Sequence, residues 1–451
     1  SSLVTFCFRI SCNAYTSATR AVIRVLHSGR GALFSKKVGG GLFYLLSAAS
    51  CALLKIGEKT MKLLATTVFT LTIATASFAD TWTVDDDGKA DFNNIQDAVD
   101  AASDGDEILV MPGTYTSTSS EVVNILGKEI TLRSVDGHET TTIDGENVRR
   151  GILCDTGETE GTVIDGFTIW RCAGDYGAGM KIDGISNGDT SPTVQNCFFS
   201  QNVATGGGGA IFSRTSSSKI LECIFKWNSC PGQHGGAIYT MYNSSMEVLG
   251  CTFYANTSYY YGGAIYGTNN AEITILNCDF SLNSVQQYGG AIYLGIDAIV
   301  NQCSFVANDS ATRTGGAIAV SAGGPVAIQE CVFSLNTSFW DGAAIAALTG
   351  AHPTYYNSTF CNNSPSDFYT TGGGTVDDLG LNEFSGCPGS CCVQTGCSVL
   401  TPDQCDELGG TFLTSTSCLG CPTICTGDLD TDGDVDIDDL LLLIGAWGVC
   451  P

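Results

Sequence analysis

Near the C-terminus stands the string GDLDTDGDVDIDD, dense in oxygen ligands at regular intervals. Counting a loop from Asp428 as position 1, carboxylates fall at positions 1, 3, 5, 9 and 12, as Asp428, Asp430, Asp432, Asp436 and Asp439. Gly433 takes position 6, where such a loop turns sharply, and Asp434 at position 7 offers its backbone carbonyl. Val435 at position 8 is apolar and can pack. A hard cation needs a cage of oxygens, and this spacing is that of a calcium loop. Without the ion the carboxylates repel one another, so Ca2+ is expected to order the segment. Leu440 to Trp447 follows as an apolar stretch with the character of a helix.

Upstream lies a second chemical cluster. Residues 387–425 hold eight cysteines in 39 residues, and Cys450 makes a ninth. Cys418-x-x-Cys421 and Cys421-x-x-x-Cys425 permit zinc, but no histidine is near, and an exported chain favours disulfides. The connectivity stays open. A third set is dispersed: Asp175, Lys181, Arg214 and His234 are the acids, bases and cations that could serve a polysaccharide-cleaving site. Nothing in the sequence pins them together, and exposed turn residues are the plainer reading.

These residues must be placed by a repeat. A Gly-Gly-Ala-Ile string starts at Gly208, Gly235, Gly262, Gly289 and Gly315, with Gly-Ala-Ala-Ile at Gly342, in steps of 27, 27, 27, 26 and 27. Cys-x-Phe-x-x-Asn recurs from Cys197, Cys223, Cys251, Cys278, Cys303 and Cys331, and Ser358 replaces the cysteine in a last copy. Each unit holds two or three short runs of period 2, such as Glu272 to Ile275, broken by Gly, Asn and Ser. Such units fit one coil of a parallel β-helix, in which equivalent residues stack about 4.8 Å apart. Ile, Phe and Cys are then internal ladders, the cysteines acting as small apolar residues. Asparagine is expected at turns, left-handed and bonded to the next asparagine. Phe92, Ile95, Ala98, Val99 and Ala102 have helical spacing, and a short helix here would cover the open end. About ten coils are expected, ending near Phe384.

The aromatic residue after each Gly-Gly-Ala-Ile string is Phe212, Tyr239, Tyr266 or Tyr293. If Ile points inward, alternation points these rings outward. Four stacked rings make an apolar ribbon about 15 Å long, on which sugar rings could stack. The opposite register would make them core.

The bulk properties set the compartment. The chain carries 20 Lys+Arg against 46 Asp+Glu, a formal charge of −26. This argues against nucleic acid and anionic lipid as partners. The first methionine is Met61, and residues 61–79 read as a signal peptide: Lys62, an apolar run from Leu63 to Ala74, then Ser77-Phe78-Ala79. Residues 1–60 are basic and read as an upstream extension of the gene model, or else as a long leader. The expected divisions are 80–385 for the β-helix, 386–425 for the cysteine-rich neck and 426–451 for the calcium tail. No run in the mature chain suits a transmembrane helix.

The entry through Asp91 to Tyr115, ending in Pro-Gly-Thr-Tyr, resembles the N-terminal cap of the pectin-lyase-like right-handed parallel β-helix superfamily. The Gly-Gly-Ala-Ile and Phe-x-x-Asn signatures resemble the repeats of polymorphic outer-membrane proteins. The tail resembles one repeat of the dockerin module, an EF-hand relative that binds cohesin domains; that family carries two calcium repeats and this chain shows one. The resemblances imply an all-β solenoid and leave the chemistry open, since one such fold hosts lyases, hydrolases, esterases and adhesins. The paired-aspartate and Gly-His-Gly strings of polygalacturonase-like hydrolases, the pectate-lyase Arg-x-Pro-x-x-Arg string and the aspartate motifs of pectin methylesterases are not found. The leading expectation is a secreted or cell-surface protein that binds a polysaccharide or other glycan, or adheres through one, with a calcium-stabilised anchoring tail whose partner is a cohesin-like or other surface-anchoring component. The alternatives are a polysaccharide lyase or glycoside hydrolase with the same tail, and a structural component of a cell surface.

The calcium loop yields a direct expectation. In calorimetric titration the mature chain takes up one Ca2+, and Asp428→Ala with Asp439→Ala abolishes the uptake; heat unchanged by the pair of substitutions would remove calcium from the tail.

Overall fold

The computed structural model describes residues 79–384, apart from 185–187 and 189, together with three short strands further on. The expected signal peptide and the calcium loop lie outside the described residues, as does most of the neck. The three strands, Gly389–Val393, Gly396–Leu400 and Thr411–Leu413, form a small antiparallel sheet with the first in the middle.

Residues 81–378 wind into a parallel β-helix of about 11 turns, one more than the sequence suggests. The count rises because strand Thr81–Val84 already pairs with Glu107–Val110, ahead of the first recognisable repeat. One coil illustrates the rest. Glu272–Leu276 belongs to a 12-stranded base sheet, and Asp279–Ser281 to a 10-stranded sheet that carries the phenylalanines. Ser284–Val285 belongs to a seven-stranded sheet of very short strands, and Ile292–Leu294 to a 10-stranded sheet that carries the Gly-Gly-Ala-Ile isoleucines. Four strands per coil, rather than two or three, follow from corners too tight to show in a hydropathy pattern.

Stacking is in register along the coils, save for a bulge at Gly174–Tyr176. Phe253 pairs with Phe280, and Phe280 with Phe305. Their rings lie 4.7 and 4.9 Å apart and nearly parallel, inside a fully buried stack from Phe199 to Phe360. Asparagines turn the next corner. The Asn283 side-chain amide donates to the Phe253 carbonyl at 2.9 Å and to the Asn308 side-chain oxygen at 3.0 Å. Its own oxygen accepts from the Asn256 backbone and side chain, both at 3.0 Å. The same pattern runs from Asn202 to Asn363.

The left-handed turn does not sit on these asparagines. It falls on the residue before each: Ala255, Leu282, Ala307 and Leu335 have φ of 53°, 57°, 53° and 57°. The buried asparagine is needed for its bonds, so the strained conformation passes to whichever side chain precedes it. Asparagines do take φ > 0 at the corner before the cysteines, as at Asn196 and Asn277.

The cysteine column is free of disulfides and buried from Cys197 to Cys331. It does more than fill space. The Cys223 and Cys251 backbone N–H groups donate to the sulfurs of Cys251 and Cys278, both at 3.4 Å. The column ends with the Ser358 hydroxyl accepting from Cys331 at 3.1 Å. Burial pushes the Cys223 thiol well above its ordinary value.

The glycine pair is steric. Gly262 has φ of +63°, and a Cβ on Gly263 would meet the Gly290 carbonyl oxygen at 2.0 Å. Each coil thus forbids a side chain where the next coil's backbone passes. The helix Ile95–Ala101 is N-capped by Asn94 and buries Ile95, Ala98 and Val99 in the main core.

Replacing Asn283 with alanine removes the acceptor of the Asn256 N–H and side-chain amide and the side-chain donor to the Phe253 carbonyl in a dry corner. The expected loss is about 3 kcal/mol or more, measured by denaturant unfolding. A loss under about 1 kcal/mol would show that water repairs the ladder.

Candidate functional site

Chemistry and exposed aromatic surface gather on the outer side of the isoleucine sheet. Strand alternation behaves as expected there: Ile211, Ile238, Ile265 and Ile292 are fully buried in the main core. Phe212, Tyr239 and Tyr266 lie on the opposite face, in register. They do not form an open ribbon. They are exposed by only 2, 7 and 8%, forming a second apolar cluster with Met241 that Tyr261 and half-buried Tyr293 pack against. Burial pushes the Tyr293 hydroxyl up to about 12. The expected glycan-stacking strip is therefore closed along most of its length, because each coil leaves the short sheet through a loop that folds back over these rings.

Those loops are the outermost layer, and they stack as the strands do. The Tyr260 N–H donates to the Gln233 carbonyl at 3.0 Å, Tyr288 to Tyr260 at 3.1 Å, and Trp340 to Arg313 at 2.9 Å. The resulting column presents Tyr259, Tyr260, Tyr288, Arg313 and Trp340. Tyr259 and Trp340 are exposed by 44 and 42%, with Phe339 beside them at 68%. Tyr259 packs edge-on to Tyr260 at 4.7 Å, and Tyr261 bridges inward to Tyr293 at 4.5 Å. These residues occupy the two or three positions before each glycine pair. Their composition varies from repeat to repeat, so the 27-residue period that marks the glycines does not mark them as a set.

The charged residues are further toward the N-terminus on the same sheet. Asp183 was missed in the sequence, and it gathers two of the dispersed candidates. Arg214 donates to it through Nε at 2.8 Å and Nη2 at 2.5 Å, and the Lys181 ammonium lies 3.4 Å away. Register explains the fork, since Asp183 and Arg214 are direct partners on adjacent coils. Asp183 is 5% exposed. Asp155, on the preceding coil, has its carboxyl pushed up by burial and then by the charge of Glu158. Glu158 is itself buried, accepting from the N–H groups of Gly127 and Thr156.

Asp175 is placed elsewhere, with Arg150 Nη2 at 2.5 Å. Partial burial opposes its ionisation, but the Tyr176 N–H and Arg150 outweigh this, and its carboxyl is held below the usual value. His234 joins the aromatic loops, stacked on Tyr261 at 4.9 Å and near Tyr266 at 4.6 Å. The four dispersed candidates thus split three ways. Among the described residues no group of three metal-ligating side chains converges.

The family described as right handed beta helix region matches residues 150–333. No curated protein matches the chain. Among solved structures, a pectin methylesterase from carrot is similar, with a TM-score of 0.24 and 11% identity, over 66% of this chain and 88% of that one. At that distance the carrot enzyme's chemistry says nothing about this chain.

Burial lowers the His234 imidazole from 6.5 to about 4. The folded state thus holds it neutral while the unfolded chain gains a proton below about 6.5. Its contribution is present above that pH and is lost as pH falls toward 4. Thermal unfolding of His234→Phe against the parent should show a melting-temperature gap that grows in the variant's favour across this window. A constant gap would mean His234 is solvated.

Proposed function

We propose that the chain is exported and acts at or outside the cell surface as a carbohydrate-binding, adhesive β-helix. The column of aromatic loops carries this reading. Tyr259 and Tyr260 lie one coil from Tyr288, and Phe339 and Trp340 lie two coils beyond it with Arg313 between. Coils stack about 4.8 Å apart, so an extended polymer meets rings at several steps along one edge. A sugar's C–H face stacks on such rings while its hydroxyls stay in water. Trp340, Phe339 and Tyr259 are large, exposed and rigid, unlike the buried Phe212, Tyr239 and Tyr266 beneath them. The inner rings then serve as foundation, holding the loops in place.

In this reading the helix Ile95–Ala101 closes the N-terminal end, the neck is cross-linked by disulfides after export, and Asp428, Asp430, Asp432, Asp434, Asp436 and Asp439 bind Ca2+ in a tail that anchors the protein. A cohesin-like domain or another surface component is the partner for that tail.

The Asp155, Lys181, Asp183 and Arg214 group favours the enzyme as a second reading. It holds two acids on adjacent coils, one with a raised carboxyl, beside two cations. Two carboxyls on adjacent coils beside cations are the kind of groups polysaccharide cleavage uses.

One set of assays separates the two. The mature protein is presented with a polysaccharide panel, and both retention and product formation are measured. Binding that falls at least tenfold in Tyr288→Ala with Trp340→Ala, with β-rich circular dichroism unchanged, supports the binding protein. New reducing ends or unsaturated products that vanish in Asp183→Asn replace it with the enzyme.

A further inference from the structure

This chain is rich in acids, yet among the described residues two cations have neither an acid partner nor a backbone cap. Among the described residues, eight lysines and arginines form ion pairs with carboxylates. Lys128 instead caps the carbonyls of Val99, Asp100 and Ala102 at the end of the helix. The two that remain are Lys226 and Arg313. Each sits over two aromatic rings contributed by different coils.

The Arg313 guanidinium carbon is 4.9 Å from the Trp340 ring centre and 6.0 Å from that of Tyr288. The Lys226 ammonium is 4.3 Å from the Trp227 ring and 4.8 Å from the Tyr254 ring. Acids close to Arg313 in the chain are turned to other partners: Asp309 accepts from Thr337 at 2.6 Å, and Asp341 from Ser366 at 3.1 Å. In register, Lys226 is flanked by Ser200 and Tyr254, with no acid on either side. Arg171 is the contrast, since it also lies over a ring, Trp170, but holds Asp144. The Lys226 site carries a further mark. Trp227 is 47% exposed and holds φ of +57°, a strained conformation for a bulky side chain, at a corner where other coils place Gln, Ala, Leu or Asn.

A cation stacked on rings keeps its charge and leaves its N–H groups open at the edge. With no internal carboxylate to satisfy it, the natural complement is an anion from outside. The rings on either side favour an anion attached to a flat, partly apolar body. A free small anion would gain nothing from Trp340 or Trp227.

We propose that the ligand is an anionic polysaccharide, and that Arg313 and Lys226 each take one of its charged substituents while the adjoining rings take the sugar face. The inference rests on the carbohydrate-binding reading and adds the charge of the polymer. The acidity of the rest of the chain sharpens it. The chain's formal charge of −26 opposes a polyanion in general, so a polyanion that binds is held at the open cations.

The test uses the mature protein and three immobilised polymers: carboxylated, sulfated and neutral. Retention is measured at low and high salt for the parent, Arg313→Gln, Lys226→Gln and Arg313→Lys. The expected result is tighter binding to one or both anionic polymers, weakened by salt, and a loss of roughly tenfold in each Gln variant. Neutral-polymer binding should fall far less than anionic-polymer binding, and Arg313→Lys should recover part of the loss. The carboxylated and sulfated arms identify the anion. Equal binding of neutral and anionic polymers, or Gln variants that bind the anionic polymers like the parent, would overturn this inference and leave the carbohydrate reading standing. Retention of none of the three polymers by the parent would sink the carbohydrate reading itself.

Discussion

Each coil of this protein must lie in register on the one before it. Parallel pairing alone would tolerate a slip of a residue, but the ladders do not. Asn283 bonds upward to Asn308 and downward to Phe253, and its oxygen serves Asn256, so a slipped coil would bury several unpaired polar groups at once. The phenylalanine stack and the Gly263 approach to the Gly290 carbonyl impose the same register through shape. One interaction at each corner, repeated, therefore fixes where every outward side chain stands.

That regularity creates the functional surface indirectly. The isoleucine sheet has two apolar faces, one toward the main core and one toward Phe212, Tyr239 and Tyr266. An exposed face of that kind would invite aggregation, and the loops between the short sheet and the glycine pair cover it. Covering it displaces the aromatic surface outward by one layer, to Tyr259, Tyr288 and Trp340. The inner rings give the loops something to pack on; the outer ones meet solvent.

Electrostatics follow the same division. Near the N-terminal coils, Asp183 with Arg214 and Lys181 is internally compensated, and so contributes more to order than to ligand capture. Toward the C-terminal coils, Arg313 stands among rings without such compensation. A charge satisfied by its own chain has little left to offer a partner, whereas an open one has a great deal.

Repeat length, the phenylalanine and asparagine columns, the glycine corners and the inward isoleucines were all legible in the sequence, because each is a local requirement renewed every 27 residues or so. Period-2 alternation also told correctly which way Tyr239 and Tyr266 point. It could not tell what lies over them, since that depends on how far the loop through Tyr259 to Tyr261 folds back. Nor could it bring Lys181 and Arg214 to Asp183, residues from different coils that meet only when one coil stacks on another. Sequence spacing determined the brick and its inner face; the stacking of coils and the path of their loops decided which outer residues are covered, which charges are paired, and which are left to meet a ligand.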